Sequence, residues 1–80
     1  MTISEVEYKI KNIVANQLGC DISLISSNAH LQKDLFADSL DILSIRVSIE
    51  DMFNIRFTER ELQDLLQIHS TVEIVYGKLA

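Results

Sequence analysis

The sequence predicts an all-α fold: a small antiparallel four-helix bundle with three longer helices, one short helix and a long loop between the first two. The 80 residues include no proline, only two glycines and 48% hydrophobic residues, whereas a sheet would need more turn residues. Apolar residues also recur at helical spacing in separate segments. A chain of this length supports one small core, so we expect a single domain over residues 1–80.

The first helix is expected over about residues 4–18. Ser4 and Glu7 have the spacing of a capping box, in which the serine hydroxyl bonds the glutamate amide. Ile3 and Tyr8 occupy the positions of a hydrophobic staple, and Gly19 is a natural C-terminal stop. The apolar residues that follow helical spacing are Ile3, Val6, Ile10, Ile13, Val14 and Leu18.

Residues 20–38 are predicted to form the long loop, because polar residues are scattered there among apolar ones without a sustained period. Long loops of this kind are uncommon in compact domains and are usually functional. We expect a short helical turn within it. The apolar residues expected to hold the loop against the core are Ile22, Leu24, Ile25, Leu31 and Leu35.

The second helix is expected from Ser39 to about Phe53, with Asp38 as its N-cap and Asn54 as its stop. At about 100° per residue, one sector of this helix should face the core. The residues of that sector are Ile42, Ile45, Ile49, Met52 and Phe53.

Two shorter helices complete the predicted bundle. Residues 58–61, Thr-Glu-Arg-Glu, form a second capping box and open a short third helix. The fourth helix is expected to begin at Ser70 or Thr71 and to weaken at Gly77.

The side of the second helix opposite the core sector is also apolar. Leu40, Leu43 and Val47 form this strip, and acidic residues lie on or beside it. Since only three other helices are available for packing, the strip is expected to stay exposed and to dock partners with basic surfaces. The alternative is that the long loop covers it. The residues of the predicted acidic rim are Asp38, Asp41, Glu50 and Asp51.

Composition narrows the classes of partner. A formal net charge of -5 disfavours nucleic acid, which clustered Lys and Arg residues bind. No segment has the ~18 apolar residues of a membrane span, and the first residues lack a signal-peptide pattern. Cys20 is the only cysteine, which excludes an internal disulfide. We expect a cytoplasmic monomer without a membrane partner.

Ser39 lies at the start of the second helix between acidic residues, and its surroundings suit attachment better than catalysis. A serine nucleophile needs a base and oxyanion donors. Nothing places His30 or His69 beside Ser39, and the glycines of a nucleophile elbow are missing. Residues 34–41 also lack the ligand alternation of a calcium loop. We therefore expect no catalytic residue and no metal, and a phosphate-linked group on Ser39 at a helix N-terminus.

Residues 35–53, with Asp-Ser-Leu at positions 38–40, resemble the corresponding segment of acyl carrier proteins. The resemblance implies that Ser39 bears covalent 4'-phosphopantetheine, attached by a magnesium-dependent phosphopantetheinyl transferase that uses coenzyme A. Acyl groups would then travel as thioesters to synthases and acyl-transfer enzymes, and the chain itself would be no enzyme. The acyl chain would fold back between the helices. The aliphatic residues implied to line its pocket are Ile45, Ile49, Leu62 and Leu66.

Several residues depart from the common pattern of that family. Phe36 stands where glycine is usual, Ser44 where an acid is usual, and Arg46 where an apolar residue is usual; a proline expected before Thr58 is missing. These departures favour a specialised carrier over a general one of fatty-acid synthesis, in a dedicated acyltransferase, secondary-metabolite, lipid-modification or secretion-associated pathway. The alternatives are a peptidyl carrier domain and a helical adaptor that docks through the second helix without needing Ser39.

Overall fold

The computed structural model describes residues 1–80 and contains helices but no strands. The four helices are α1 (Ile3–Leu18), α2 (Ser39–Phe53), α3 (Glu59–Leu62) and α4 (Ile68–Leu79). Two 3₁₀ turns lie at Ile22–Leu24, within the long loop, and at Gln63–Leu66, directly after α3. The prediction of an all-α bundle with three longer helices and one short helix is confirmed.

The cap of α1 differs from the prediction. The side chain of Thr2 accepts a hydrogen bond from the Glu5 amide at 3.2 Å, and the Glu5 carboxylate accepts one from the Thr2 amide at 3.0 Å. The capping box predicted at residues 4–7 is therefore wrong by two residues. The predicted staple is also wrong, since Ile3 and Tyr8 are both exposed.

Two pairs of residues at the start of α1 have the spacing of a capping box, Thr2 with Glu5 and Ser4 with Glu7. Tertiary contacts decide which pair forms it. Glu7 is engaged elsewhere: its carboxylate lies 3.1 Å from the Lys11 ammonium and accepts a hydrogen bond from the Ser27 hydroxyl at 2.9 Å. This cluster joins α1 to the long loop and leaves Glu5 to complete the cap. At the other end, Gly19 adopts a left-handed backbone at φ 70° and ends α1 as predicted.

α1 is the centre of the bundle, with α2 and α4 packed against it. The middle of its apolar face, from Val6 to Ala15, is buried, which supplies hydrophobic stabilisation that a domain of this size requires. The buried apolar residues form one cluster. Its members are Val6, Ile10, Ile13, Val14, Ala15, Ile25, Ala29, Leu31, Ala37, Ile45, Ile49, Phe53, Phe57, Leu65, Ile68, Val72 and Val75.

The core sector of α2 is largely as predicted. Ile45, Ile49 and Phe53 are buried, and Ile42 packs against the core while partly exposed. Met52 is exposed, so its assignment to the core is wrong. It lies in the last turn of α2 directly before the buried Phe53, on the side of that turn that faces water. Asn54 then takes a left-handed backbone and ends the helix, as predicted.

The long loop is held by backbone hydrogen bonds as well as by apolar contacts. The Leu31 amide donates to the Leu66 carbonyl at 2.7 Å, and the Ile68 amide donates to the Ala29 carbonyl at 3.1 Å. Ile25 and Leu31 are buried, as predicted. Ile22 and Leu35 pack against the core while partly exposed, whereas Leu24 is exposed and its predicted core position is wrong.

The same backbone bonds explain where α4 begins. The helix starts at Ile68, earlier than the predicted Ser70 or Thr71, because Ala29 from the loop accepts the first helical amide. Thr71 is buried, and its hydroxyl donates to the Gln67 carbonyl at 2.9 Å instead of capping the helix. α4 also continues past Gly77 to Leu79.

Candidate functional site

Ser39 is the first residue of α2, and the acids around it are used to build the helix start. The Asp38 carboxylate accepts a hydrogen bond from the Asp41 amide at 2.8 Å. Asp41 reciprocates by accepting one from the Asp38 amide at 3.2 Å. The predicted N-cap is confirmed, and it forms a full capping box that fixes the direction in which Ser39 leaves the loop.

The Ser39 hydroxyl is exposed and makes no hydrogen bond within the chain. The amides of Ser39 and Leu40 also have no partner in the chain, because they belong to the first turn of a helix. Free amides and the positive end of the helix dipole favour an anion at this position. The site therefore fits a phosphodiester on the serine oxygen.

Neither histidine is arranged as a base for Ser39. The Nδ1 atom of His30 accepts hydrogen bonds from the amides of Gln32 and Lys33, each at 3.1 Å. His69 lies on α4, where its Nε2 is 2.9 Å from the Glu73 carboxylate. The serine thus has a free hydroxyl but no general base in the chain. This arrangement suits a serine to which a separate enzyme attaches a group.

Asp41 connects the site to α1. The Gln17 side-chain amide donates to its carboxylate at 3.2 Å, and this hydrogen bond and the Asp38 amide hold the pKa of Asp41 below its usual value. Asp41 is consequently charged at neutral pH. Its negative charge lies two residues after Ser39, in the same first turn of α2, and is held by hydrogen bonds from Gln17 of α1 and from the Asp38 amide.

The apolar strip of α2, defined as Leu40, Leu43 and Val47, is exposed along its length, with Leu40 73% exposed. The prediction of an exposed strip is confirmed, and the alternative that the long loop covers it is wrong. Phe36, in the loop just before the helix, is 85% exposed. These side chains place apolar surface on both sides of Ser39 in the sequence.

The acidic rim is smaller than predicted. Asp38 and Asp51 are exposed and Asp41 is partly exposed, but Glu50 is only 5% exposed, so its placement on the rim is wrong. The loop after α2 folds back over Glu50, whose carboxylate accepts a hydrogen bond from the Phe57 amide at 3.0 Å. The sequence showed that Glu50 lies on the helix, but it did not show that the loop containing Phe57 covers this residue.

Arg46 belongs to this buried acid rather than to the docking strip. Its Nε lies 3.8 Å from the Glu50 carboxylate, and Nη1 of Arg56 lies 3.7 Å from the same oxygen. Arg46 is partly exposed, so its stem lies at the edge of the core while its charged group faces Glu50. The arginine that stands at position 46 in place of the usual apolar residue is thus paired with the buried carboxylate of Glu50.

The residues implied to line an acyl pocket occupy two environments. Ile45 and Ile49 are buried in the core, Leu62 packs against the core while partly exposed, and Leu66 is half-buried. The cavity that the structure contains, of about 270 Å³, lies in the long loop and touches none of them. Its lining residues are Leu24, Ser26, Asn28, Ala29, Asp34 and Leu35.

Phe36 has a left-handed backbone, with φ at 60°. Its amide donates to the Gln32 carbonyl at 3.2 Å, and the Ala37 amide donates to the Leu31 carbonyl at 2.9 Å, so the chain reverses here before α2. Glycine adopts this conformation without steric strain. The sequence showed Phe36 where glycine is usual in the family, but a left-handed backbone was not predicted there. The usual glycine could have indicated this conformation.

Comparison with known proteins decides the family. A family model described as the phosphopantetheine attachment site matches residues 9–75, most of the chain. The chain is 38% identical over 73 residues to the acyl carrier protein of Buchnera aphidicola subsp. Baizongia pistaciae, covering 91% of this chain and 94% of that protein. The chain belongs to the acyl carrier protein family. It is 31% identical over 80 residues to the acyl carrier protein of Guillardia theta, covering 100% of this chain and 99% of that protein.

The fold agrees with this assignment. The solved structure of the acyl carrier protein from Enterococcus faecalis superposes with a TM-score of 0.79 at 21% identity, over 96% of this chain and 98% of that chain. The resemblance seen in the sequence is confirmed, and acyl carrier proteins are carriers of phosphopantetheine rather than enzymes. None of the helices combines the length and apolar character needed to cross a bilayer.

Proposed function

We propose that Ser39 is the residue that bears 4'-phosphopantetheine in this acyl carrier protein. The observation that carries the proposal is the free, exposed hydroxyl at the first residue of α2, beside two amides without partners. When attached, the group supplies a terminal thiol for acyl thioesters. The chain supplies the anchoring oxygen, the amides that favour the phosphate and a helix that holds them in place.

Attachment requires a transferase, because the chain lacks a base of its own at Ser39. In that step the Ser39 oxygen forms a bond to a phosphorus atom of coenzyme A. The pyrophosphate bond breaks, the nucleotide half of coenzyme A leaves, and the hydroxyl proton passes to a base of the transferase. A magnesium ion bound with coenzyme A belongs to the enzyme, and no group of three or more acidic, His or Cys side chains in this structure could hold one.

The docking surface in this proposal is the apolar strip with Asp38, Asp41 and Asp51. A partner with basic residues around an apolar patch matches it, since opposite charges steer the encounter and the strip supplies contact area. Glu50 takes no part because it is buried. The expected partners are a phosphopantetheinyl transferase and acyl-transfer or synthase enzymes with basic docking surfaces, and we place the carrier in the cytoplasm as a monomer.

The pathway proposed is acyl transfer in fatty-acid synthesis or in a specialised system. Ser44 and Arg46 leave the middle of α2 with fewer negative charges than the family pattern has, and Arg46 is held near Glu50. This change favours a dedicated set of partners. Comparing the acylated protein with a housekeeping carrier as substrates of a general ketoacyl synthase tests the point: equal rates would contradict specialisation.

The acyl chain is proposed to enter between α2 and the segment of Leu62 and Leu66. Both leucines are partly buried, Leu62 against the core, whereas Ile45 and Ile49 are core residues of α2. Entry requires these side chains to move apart, because the cavity present lies in the long loop. These side chains would then lose contacts with one another and gain contacts with the acyl chain. The apolar area exposed to water would change little.

Intact-mass spectrometry tests the attachment site. The protein incubated with coenzyme A, magnesium and a transferase should gain the mass of one phosphopantetheine group. Ser39→Ala should gain nothing, whereas Ser48→Ala, which removes another exposed serine of α2, should gain as the wild type does. No gain in the wild type, or a gain that survives Ser39→Ala, would reject the assignment and favour a helical adaptor.

A further inference from the structure

Phe36 combines two unfavourable features. Its backbone is left-handed, a region in which a non-glycine residue is uncommon and a bulky one is an outlier. Its aromatic ring is 85% exposed to water. The other non-glycine residue with a positive φ is Asn54, whose short polar side chain tolerates this conformation.

Folding alone does not account for a phenylalanine at this position. The turn requires a positive φ, which glycine would provide without strain. With so much of its surface in water, the ring adds little to the packing of the core. Strained residues of this kind cluster at functional sites, where the strain is retained for another purpose.

The position of Phe36 indicates that purpose. It lies three residues before Ser39, and Leu40, which directly follows Ser39, is 73% exposed. Two exposed apolar side chains therefore flank the proposed attachment serine. Residues 34–41 also contain three aspartates and no basic residue. Phe36 and Leu40 are therefore exposed apolar side chains among negatively charged residues. A partner protein with an apolar pocket bordered by basic side chains would match them.

We propose that Phe36, together with Leu40, anchors the phosphopantetheinyl transferase that modifies Ser39. This inference rests on the proposed function. The transferase must bring its reacting atoms to the serine oxygen itself, so its surface covers the residues beside that oxygen. Enzymes that use the acyl thioester react with it at the far end of the arm, so they can dock on the strip of α2 without covering Phe36. Phe36 thus acts as a specificity residue for loading and leaves the attachment chemistry to Ser39.

Initial rates of modification test this role, with the coenzyme A and transferase that modify the wild type. Phe36→Gly removes the ring and relieves the backbone, and Phe36→Asn removes it while keeping a residue that tolerates positive φ. Both should lower kcat/KM about ten- to hundredfold, the range expected for losing one buried phenyl contact. Phe36→Leu should retain most of the rate. Asn54→Gly, which frees the other left-handed backbone, should react as the wild type does.

Stability separates recognition from folding. Phe36→Gly should melt at or above the wild-type temperature, so a slower reaction with a more stable fold would locate the loss in recognition. Long incubation at high enzyme concentration should still load every Phe36 variant. Wild-type rates in both Phe36→Gly and Phe36→Asn would overturn the inference while leaving the proposed function intact. A wild type that is never modified would overturn both.

A second copy of the chain is the other occupant to test. Sedimentation at the concentrations used for the kinetic assay should show a monomer for the wild type and for Phe36→Gly. A wild-type dimer that Phe36→Gly dissociates would assign the ring to self-association and contradict docking to the transferase.

Discussion

Replacing Glu50 with alanine tests the finding that this acid is structural. Its carboxylate lies within the fold, where it accepts the Phe57 amide hydrogen bond at 3.0 Å. Phe57 is itself buried, so water does not readily replace the lost acceptor. The substitution removes this acceptor and, with it, the connection between α2 and the loop that leads to α3.

The expected loss follows from these contacts. A buried amide left without a partner costs about 1–3 kcal/mol, and the lost buried methylene adds about 0.8 kcal/mol. The arginines add little, because both ion pairs are long and Arg56 is exposed. Glu50→Ala should therefore lower the free energy of unfolding by roughly 2–4 kcal/mol. Glu50→Gln keeps a carbonyl oxygen for Phe57 and should lose about 1 kcal/mol.

Urea denaturation followed by circular dichroism measures both variants. Asp51→Ala, an exposed acid next in the same helix, is the matched control and should stay within about 0.5 kcal/mol of the wild type. A loss below about 1 kcal/mol for Glu50→Ala would refute the burial argument. Equal losses for Glu50→Ala and Glu50→Gln would show that charge, rather than the hydrogen bond to Phe57, holds the loop.

Two further predictions concern the start of α2. Asp38→Ala removes the N-cap acceptor and should lower the free energy of unfolding by about 1 kcal/mol in urea denaturation, while Asp38→Asn should retain most of it; equal losses would contradict the capping role. The pKa of Asp41 is lowered, mainly by the Gln17 side chain, so its contribution to stability is present above the ordinary carboxyl pKa and is lost as pH falls through the lower folded value. In Gln17→Ala the pKa of Asp41, followed by NMR titration, should move up toward its ordinary value, and an unchanged titration would contradict the hydrogen bond.

Local signals along the chain predicted several boundaries of the fold correctly. Asp38 and Asn54 bound α2, Gly19 ends α1, and Thr58 opens α3, each as predicted. These positions depend on a residue's own backbone preference and on neighbours three or four residues away, which the sequence displays directly. The exposed strip of α2 was also predictable, because a helix with two opposed apolar faces cannot bury both in a small bundle.

The sequence by itself thus determined the helical class, the start of α2 and the serine placed there. Only the tertiary structure decided that Glu50 is buried, that α4 begins at Ile68 and that Met52 is exposed. The first two depend on segments outside the helix concerned: the loop at Phe57 covers Glu50, and Ala29 accepts the Ile68 amide. Burial and long-range hydrogen bonds are set by which segments meet in space, and helical periodicity does not contain that information.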